Sequence, residues 1–435
     1  MFKASAMTIL SCCTGGSELL AIARATRIGA LSNGRVLRLN SLLREIELSN
    51  GDTLVCWLSG SNAVGRQYVM RMGNRVIASA KRYRDFFWQS ITAKPPRLAY
   101  IGGFYGHDNL GDEALYDAAE SLFNKCSLLK YPRKPWFTSI AKVLPRIHCA
   151  VLGGGTLINR LASWRHLAER CFDTFPFSFV FGTGVAHPAF WSSRGEWKDT
   201  RREWKSILEK CSYVGVRGPL SAQLLADVGL EHVEIVGDPV LTFALRGPPE
   251  SSSHIPDSIG LNLGQANGCM WGSEDRVLDE YVKLATFARK AGWRVMWFVV
   301  YPPDLSITQK AAELSGTGQE IHKIYCDVNR YLELVRPLST FVGMKLHATA
   351  LATCAYVPSV MLEYRPKCRD YMQSIGQDEA NFRTDRFKAE EVWDIVSAWN
   401  SQRQAASRVV YDAVMPLSET QKSKANRLME TMMKS

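Results

Sequence analysis

The chain reads as an α/β protein with two Rossmann-like domains facing a cleft, preceded by a basic N-terminal extension. Three observations predict this. Short apolar runs end again and again in glycine-rich turns that open helix-like stretches, the order expected of parallel sheets. The segment Arg246-Gly247-Pro248-Pro249-Glu250-Ser251-Ser252-Ser253 has linker composition and splits the series in two. The basic charge is concentrated at the start: 13 Lys/Arg against 5 Asp/Glu in residues 1–96 supply +8 of the total +11, leaving +3 for the rest.

Taken in order, the extension is expected over residues 1–96 and has no assigned role. Within it Val69, Met72, Val76, Ala80, Tyr83 and Phe87 recur at helical spacing among Arg71, Arg75, Lys81, Arg82 and Arg84. Such a helix either lies on anionic lipid or packs on its own domain with a solvated basic face. Lys94-Pro95-Pro96 then punctuates the chain, and the first domain is expected over 97–247. Its strands are read at 98–101, 150–152, 177–181, 213–216 and 233–236. They end respectively in the glycine-rich stretch 102–113, Gly153-Gly154-Gly155, Gly182-Thr183-Gly184, Arg217-Gly218-Pro219 and Gly237-Asp238-Pro239. The second domain is expected over 255–400, with strands at 259–263, 295–301, 341–344 and 358–362. A polar helical tail over 401–435 is placed to cross back over the first domain.

Composition narrows the function. At 435 residues, 46% hydrophobic and 22% charged, the chain is an ordinary globular one with material for two cores. The apolar run at 293–301 is among the longest, and Arg294 interrupts it, so no membrane span is expected. The first 24 residues lack a sustained apolar core and do not read as a signal peptide. Eleven scattered cysteines, an odd number without a Cys-x-x-Cys pair, point to reduced thiols in the cytoplasm and away from a zinc site. No recognisable nucleic-acid-binding module accompanies the charge, so no nucleic-acid partner is expected.

The candidate site residues stand at strand C-termini, where parallel sheets bind ligands and helix N-termini offer free N–H groups. Lys345 and His347 follow one strand of the second domain, and Tyr364, Arg365 and Lys367 follow another. They mark either a polyanion pocket or two helix starts with surface charges. Arg217 ends a first-domain strand between Gly218 and Pro219; its fork suits a carboxylate or phosphate, or a structural ion pair with Asp238. His347 is either a satisfied core histidine or a group that carries a proton to or from a bound anion. Gly102–Glu113 fails the dinucleotide spacing. Asn109, Asp112 and Glu113 are either a helix cap with first-turn charges or ligand-facing groups. Gly153, Gly154 and Gly155 serve close packing or phosphate approach.

Together these residues resemble the polysaccharide pyruvyl transferase family. The signatures run in order: Tyr105-Gly106-x-x-Asn109-Leu110-Gly111-Asp112-Glu113, Gly153-Gly154-Gly155, Val214-Gly215-Val216-Arg217-x-x-x-Ser221, Leu224-x-x-x-Gly229, Gly237-Asp238-Pro239, Lys345-Leu346-His347-Ala348 and Tyr364-x-Pro366-Lys367. The resemblance implies a GT-B-like fold and transfer of the pyruvyl unit of phosphoenolpyruvate onto two hydroxyls of one sugar, releasing phosphate. The acceptor implied is a sugar of a cell-surface polysaccharide or its lipid-linked precursor, and no cofactor is implied beyond the donor. The family's donor-binding arginine, histidine and lysine correspond to Arg217, His347 and Lys367. Asp112 and Glu113 are then candidates for binding or activating acceptor hydroxyls.

Four departures stand out. Gly182-Thr183-Gly184 replaces Gly-Gln-Gly, Gly218 replaces the usual aspartate after the arginine, Lys345 replaces arginine, and Arg365 replaces aspartate in Tyr-Asp-Pro-Lys. A nucleotide-sugar glycosyltransferase of the same two-domain fold is the competing reading. A non-catalytic assembly partner that docks through the basic extension is the third. The expected location is the cytoplasm, with peripheral contact to the inner membrane face as an option.

Overall fold

The computed structural model describes residues 48–49, 53–56, 68–71, 89, 92–103, 106–131, 147–247 and 254–434. The chain divides after Gln89 into two units. In the first, β1 (Leu48–Ser49), β2 (Thr53–Cys56) and β3 (Tyr68–Arg71) form an antiparallel sheet. The helical spacing counted from Val69 therefore begins inside a strand. Backbone pairing of Thr53 with Arg71 through Cys56 with Tyr68 overrides the periodicity there. Met72, Val76, Ala80, Tyr83 and Phe87 lie outside the described residues.

The second unit holds two parallel sheets. The first contains β4 (Arg97–Ile101), β5 (Ser127–Lys130), β6 (Cys149–Leu152), β7 (Gly155–Ile158), β8 (Phe177–Val185), β9 (Tyr213–Val216) and β10 (Glu234–Ile235), ordered β10-β9-β8-β6-β4-β5 with β7 beside β8. The second contains β11 (Ser258–Asn262), β12 (Arg294–Val299), β13 (Ile321–Lys323), β14 (Thr340–Gly343), β15 (Ser359–Glu363) and β16 (Asn381–Arg383), ordered β13-β12-β11-β14-β15-β16. Every pairing in both is parallel. The central strands β6, β11, β14 and β15 are buried throughout, which is why they read as continuous apolar runs. The architecture is the GT-B-like one of two Rossmann-like sheets.

Strand order reverses at β11/β14, and ligands of open α/β sheets bind beyond the carboxyl ends at such a switch point. Asn262, fully buried at the end of β11, accepts the Lys345 N–H at 2.9 Å through its side chain and the Met344 N–H at 2.9 Å through its carbonyl. That fixes the turn from β14 into α3 (Leu346–Cys354). Five helices matter to the site: α1 (Leu110–Leu122), α2 (Pro219–Ala226), α3, α4 (Pro366–Ser374) and α5 (Arg403–Lys434).

The two sheets share packing. Leu110, Ala114 and Leu115 of α1 join Val240 and Leu241 in the same apolar cluster as the second-sheet core. The α1 start is tied across by the Leu110 N–H donating to the Val300 carbonyl at 3.0 Å. Helix α5 spans both cores. Its Val410 and Val414 pack with the second sheet, whereas Ala425, Leu428, Met429 and Met432 pack with Leu98, Tyr100 and Phe179 of the first. The polar-looking tail presents a small-residue and methionine stripe as its apolar face.

Candidate active site

Arg217 leaves β9 directly before α2 and is 1% exposed. Its Nε donates to Asp238 Oδ2 at 2.9 Å and its Nη1 to Thr156 Oγ1 at 3.4 Å; Nη2 is buried without a partner among the described residues. The ion pair considered from sequence is therefore present, and it leaves one donor of the fork unspent. Glycine at 184 makes this possible, since a Cβ there would stand 2.6 Å from Arg217 Nη1.

His347 is the second residue of α3 and is 15% exposed. Its Nε2 lies 3.6 Å from the same Asp238 oxygen, too far for a hydrogen bond, and is also buried and unpartnered among the described residues. One carboxylate from the first domain thus holds an arginine of its own domain and faces a histidine of the other. Burial alone would raise Asp238. The charge of His347, then that of Arg217, outweighs it and holds the carboxyl below its ordinary range. Asp238 is itself fixed by accepting the Val240 N–H at 3.2 Å. Gln421 of α5 is fully buried and donates to the carbonyls of Val236 at 2.8 Å and Asp238 at 2.7 Å, so the C-terminal helix braces the loop that carries Asp238.

Gly111 explains the close approach of the two halves. A Cβ on it would meet His347 Nδ1 at 2.1 Å, so the imidazole rests on the bare first turn of α1. Asn109 caps α1, its Oδ1 accepting the Gly111 N–H at 3.1 Å. Glu113 turns back to accept the Gly106 N–H, and the His107 N–H at 3.3 Å. Asp112 lies half-buried in the same first turn. The first-turn and capping roles considered for Asn109 and Glu113 are present in the fold. Gly153 and Gly154 pack closely: a Cβ on Gly153 would enter the Tyr100 ring, and one on Gly154 would meet Leu115. Gly155 has φ +101 and accepts from Thr183 Oγ1 at 3.2 Å through its carbonyl.

The cations of the second domain gather around one phenol. Lys345 Nζ lies 5.9 Å from the centre of the Tyr364 ring, with Arg365 Cζ and Lys367 Nζ each at 5.0 Å. Burial would raise the Tyr364 hydroxyl, which is 4% exposed with its residue. Lys367, Arg365 and Lys345, in that order, outweigh it and hold it below its ordinary value. Lys345 is largely neutralised, 3.1 Å from the fully buried Asp304 and 2.7 Å from the Gln265 carbonyl, lying against Gly264 where a Cβ would be 2.0 Å from its Cε. Lys367 has no carboxylate partner among the described residues.

Sequence reading missed Asp370 and Asp304. Asp370 of α4 is buried, its Oδ1 accepting the Ser221 N–H at 2.9 Å and its Oδ2 the Ser221 hydroxyl at 2.6 Å. It thereby caps α2 from the opposite domain, the service an N-cap side chain at Gly218 would give. Its carboxylate also lies 3.9 Å from Arg217 Nη1. Burial raises its pKa and Arg217 only partly opposes this. Nothing local in the sequence marks it, because its partner is 149 residues away.

The profile of the polysaccharide pyruvyl transferase family matches residues 109–366, more than half of the chain. The chain belongs to that family. No curated protein matches it. Among solved structures it is similar to a mutant of S. aureus TarM bound to fondaparinux, alpha-GlcNAc-glycerol and UDP (10% identity, 66% of this chain and 55% of that one, TM-score 0.44). It is also similar to a Thermobaculum terrenum O-GlcNAc transferase mutant (13%, 81% and 72%, 0.45) and to UDP-GlcNAc 2-epimerase from Methanocaldococcus jannaschii (14%, 69% and 92%, 0.44). The chain spans little more than half of the TarM chain. In this pyruvyl transferase family member, two of the four departures have visible consequences. Gly218 leaves the space that Asp370 occupies, a Cβ there being 2.0 Å from the Asp370 carbonyl oxygen. Arg365, in place of aspartate, donates through Nε to the Cys269 carbonyl at 2.7 Å and adds a cation beside Lys367.

Proposed function

We propose that the protein moves the pyruvyl group of phosphoenolpyruvate onto two hydroxyls of one sugar, forming a cyclic ketal and releasing phosphate. The observation that carries the reading is the pair of buried, unpartnered nitrogens, Arg217 Nη2 and His347 Nε2, facing Asp238 in the cleft of a family member. Buried donors left without partners are costly unless a ligand satisfies them. Phosphoenolpyruvate, with a carboxylate and a phosphate, suits them together with Lys367.

In this reading the methylene carbon of the donor takes up a proton, charge develops at C2, and the first sugar hydroxyl adds there. The C2–O bond to phosphate breaks and the second hydroxyl closes the ketal. Of the two hydroxyl protons, one is balanced by the new methyl hydrogen and the other leaves with phosphate. The step is redox-neutral, so the donor is the only small molecule the chemistry needs. Arg217 and Lys367 hold the anionic groups, and His347 contacts the phosphate and transfers the proton. Lys345 supports the donor side and Arg365 adds a substrate-facing cation beside Lys367, while Asp112, Glu113, Asn109 and the glycines 153–155 line the acceptor side. The acceptor is a sugar of a cell-surface polysaccharide or its lipid-linked precursor. Purified protein is expected to release phosphate from phosphoenolpyruvate only with a sugar acceptor present, the product gaining a ketal by mass. Turnover of a UDP- or GDP-sugar, with none of phosphoenolpyruvate, would instead establish the glycosyltransferase reading.

The basic extension fits peripheral contact with an anionic membrane at its cytoplasmic face. Among the described residues no helix is long and apolar enough to cross a membrane. Cosedimentation with anionic vesicles is expected at low salt and to fall at high salt, by screening. Equal solubility of the full chain and of a version lacking residues 1–94 would make the extension structural.

A further inference from the structure

A second cationic cluster is built from both domains. Arg160 follows Asn159, which holds a left-handed φ of +60. Asn159 is 1% exposed and fully engaged: its Nδ2 donates to the Ala186 carbonyl at 3.1 Å, and its Oδ1 accepts the Thr200 N–H at 2.7 Å and hydroxyl at 3.0 Å. A non-glycine residue pinned in that conformation presents Arg160 in one direction. The guanidinium carbon of Arg160 sits 3.5 Å from the centre of the Trp191 ring, and that of Arg365 sits 5.7 Å from the same centre. The fully buried Phe190 backs the indole at 5.1 Å and continues to Trp271 at 4.8 Å.

Two guanidiniums on one ring repel each other. Burial first, and then the charge of Arg365, pull Arg160 below its ordinary pKa. Among the described residues neither has a carboxylate partner. Arg365 is steadied by the Cys269 and Ala266 carbonyls, which orient its fork without cancelling its charge. The arrangement lacks only an anion, and two arginines this close to one ring centre can share one. Arg160 lies beyond the end of β7, four residues after the Thr156 that touches Arg217.

We propose that Arg160 and Arg365 form an anion subsite that holds a phosphate or carboxylate group carried by the sugar acceptor, with Trp191 positioning Arg160. The word acceptor rests on the pyruvyl-transfer reading; the subsite itself does not, and its test reads binding alone. Calorimetry on the full chain compares glucose 1-phosphate, glucuronic acid and neutral glucose. At least one charged sugar is expected to bind about tenfold or more tightly than glucose, consistent with a charge-assisted pair. The tighter of the two identifies phosphate or carboxylate as the group held. Arg160→Ala and Arg365→Asp should abolish the preference, Arg160→Lys should retain part of it, and Arg217→Ala should leave it intact, with melts showing each variant folded. Equal binding of all three sugars overturns the proposal. So does a preference that survives Arg160→Ala, or one that Arg217→Ala removes, since the sugar would then occupy the donor pocket. Loss of phosphate release with the preference intact would overturn the reaction reading and leave the subsite standing.

Discussion

His347→Ala is expected to lower kcat for phosphate release by roughly a hundredfold or more, with the protein folded and the donor still bound. The imidazole faces Asp238 at 3.6 Å and rests on the α1 backbone at Gly111, so its removal leaves a cavity and breaks no hydrogen bond at Nε2. An effect mainly on KM would make His347 a phosphate contact and not a proton carrier. Arg217→Lys belongs in the same experiment. It keeps the charge and one bond to Asp238 but loses the fork, so donor KM should rise about tenfold or more. Steady-state kinetics after thermal melts separates these outcomes. Near-normal constants for both variants would move the donor pocket elsewhere.

Gly218→Asp is expected to destabilise the protein by on the order of 3 kcal/mol, although it restores the residue usual in the family. Any Cβ at 218 would stand 2.0 Å from the Asp370 backbone carbonyl, and backbone inside α4 cannot swing aside as a side chain can. Helices α2 and α4 must separate, and the grip of Asp370 on Ser221 goes with them. Gly218→Ala should cost nearly as much, because the obstruction is steric. Ser221→Ala, which removes the hydroxyl bond to Asp370 and leaves the buried Val185 N–H without its acceptor at 2.9 Å, should cost about 2 kcal/mol. Chemical denaturation of the three variants is the measurement. Wild-type stability of Gly218→Ala would mean that the two helices are not held this close in solution.

Much of the fold was legible because parallel strands buried on both faces leave continuous apolar runs, and because glycine marks where each ends. Residues 98–101, 213–216 and 341–344 were read within a residue of the observed strands. The edge strands Ile321–Lys323 and Asn381–Arg383 were missed, being short and only half-buried, so no apolar run announces them. In the extension a local period was mistaken for a helix at Val69–Arg71, where cross-strand pairing decides.

The sequence by itself determined which residues stand at strand ends, Arg217, Lys345, His347, Arg365 and Lys367 among them, because a strand end is a local property of the chain. It also carried the ordered motifs that place the chain in its family. Only the tertiary structure decided which of these residues meet. Asp238 faces His347, Asp370 caps α2, Gly111 receives the imidazole and Arg160 shares an indole with Arg365, all through contacts between segments far apart in sequence. The physical reason is that hydrophobic periodicity reports what a residue does to its own element. Charge pairing and steric fit depend on distances that exist only after two sheets and a crossing helix have packed.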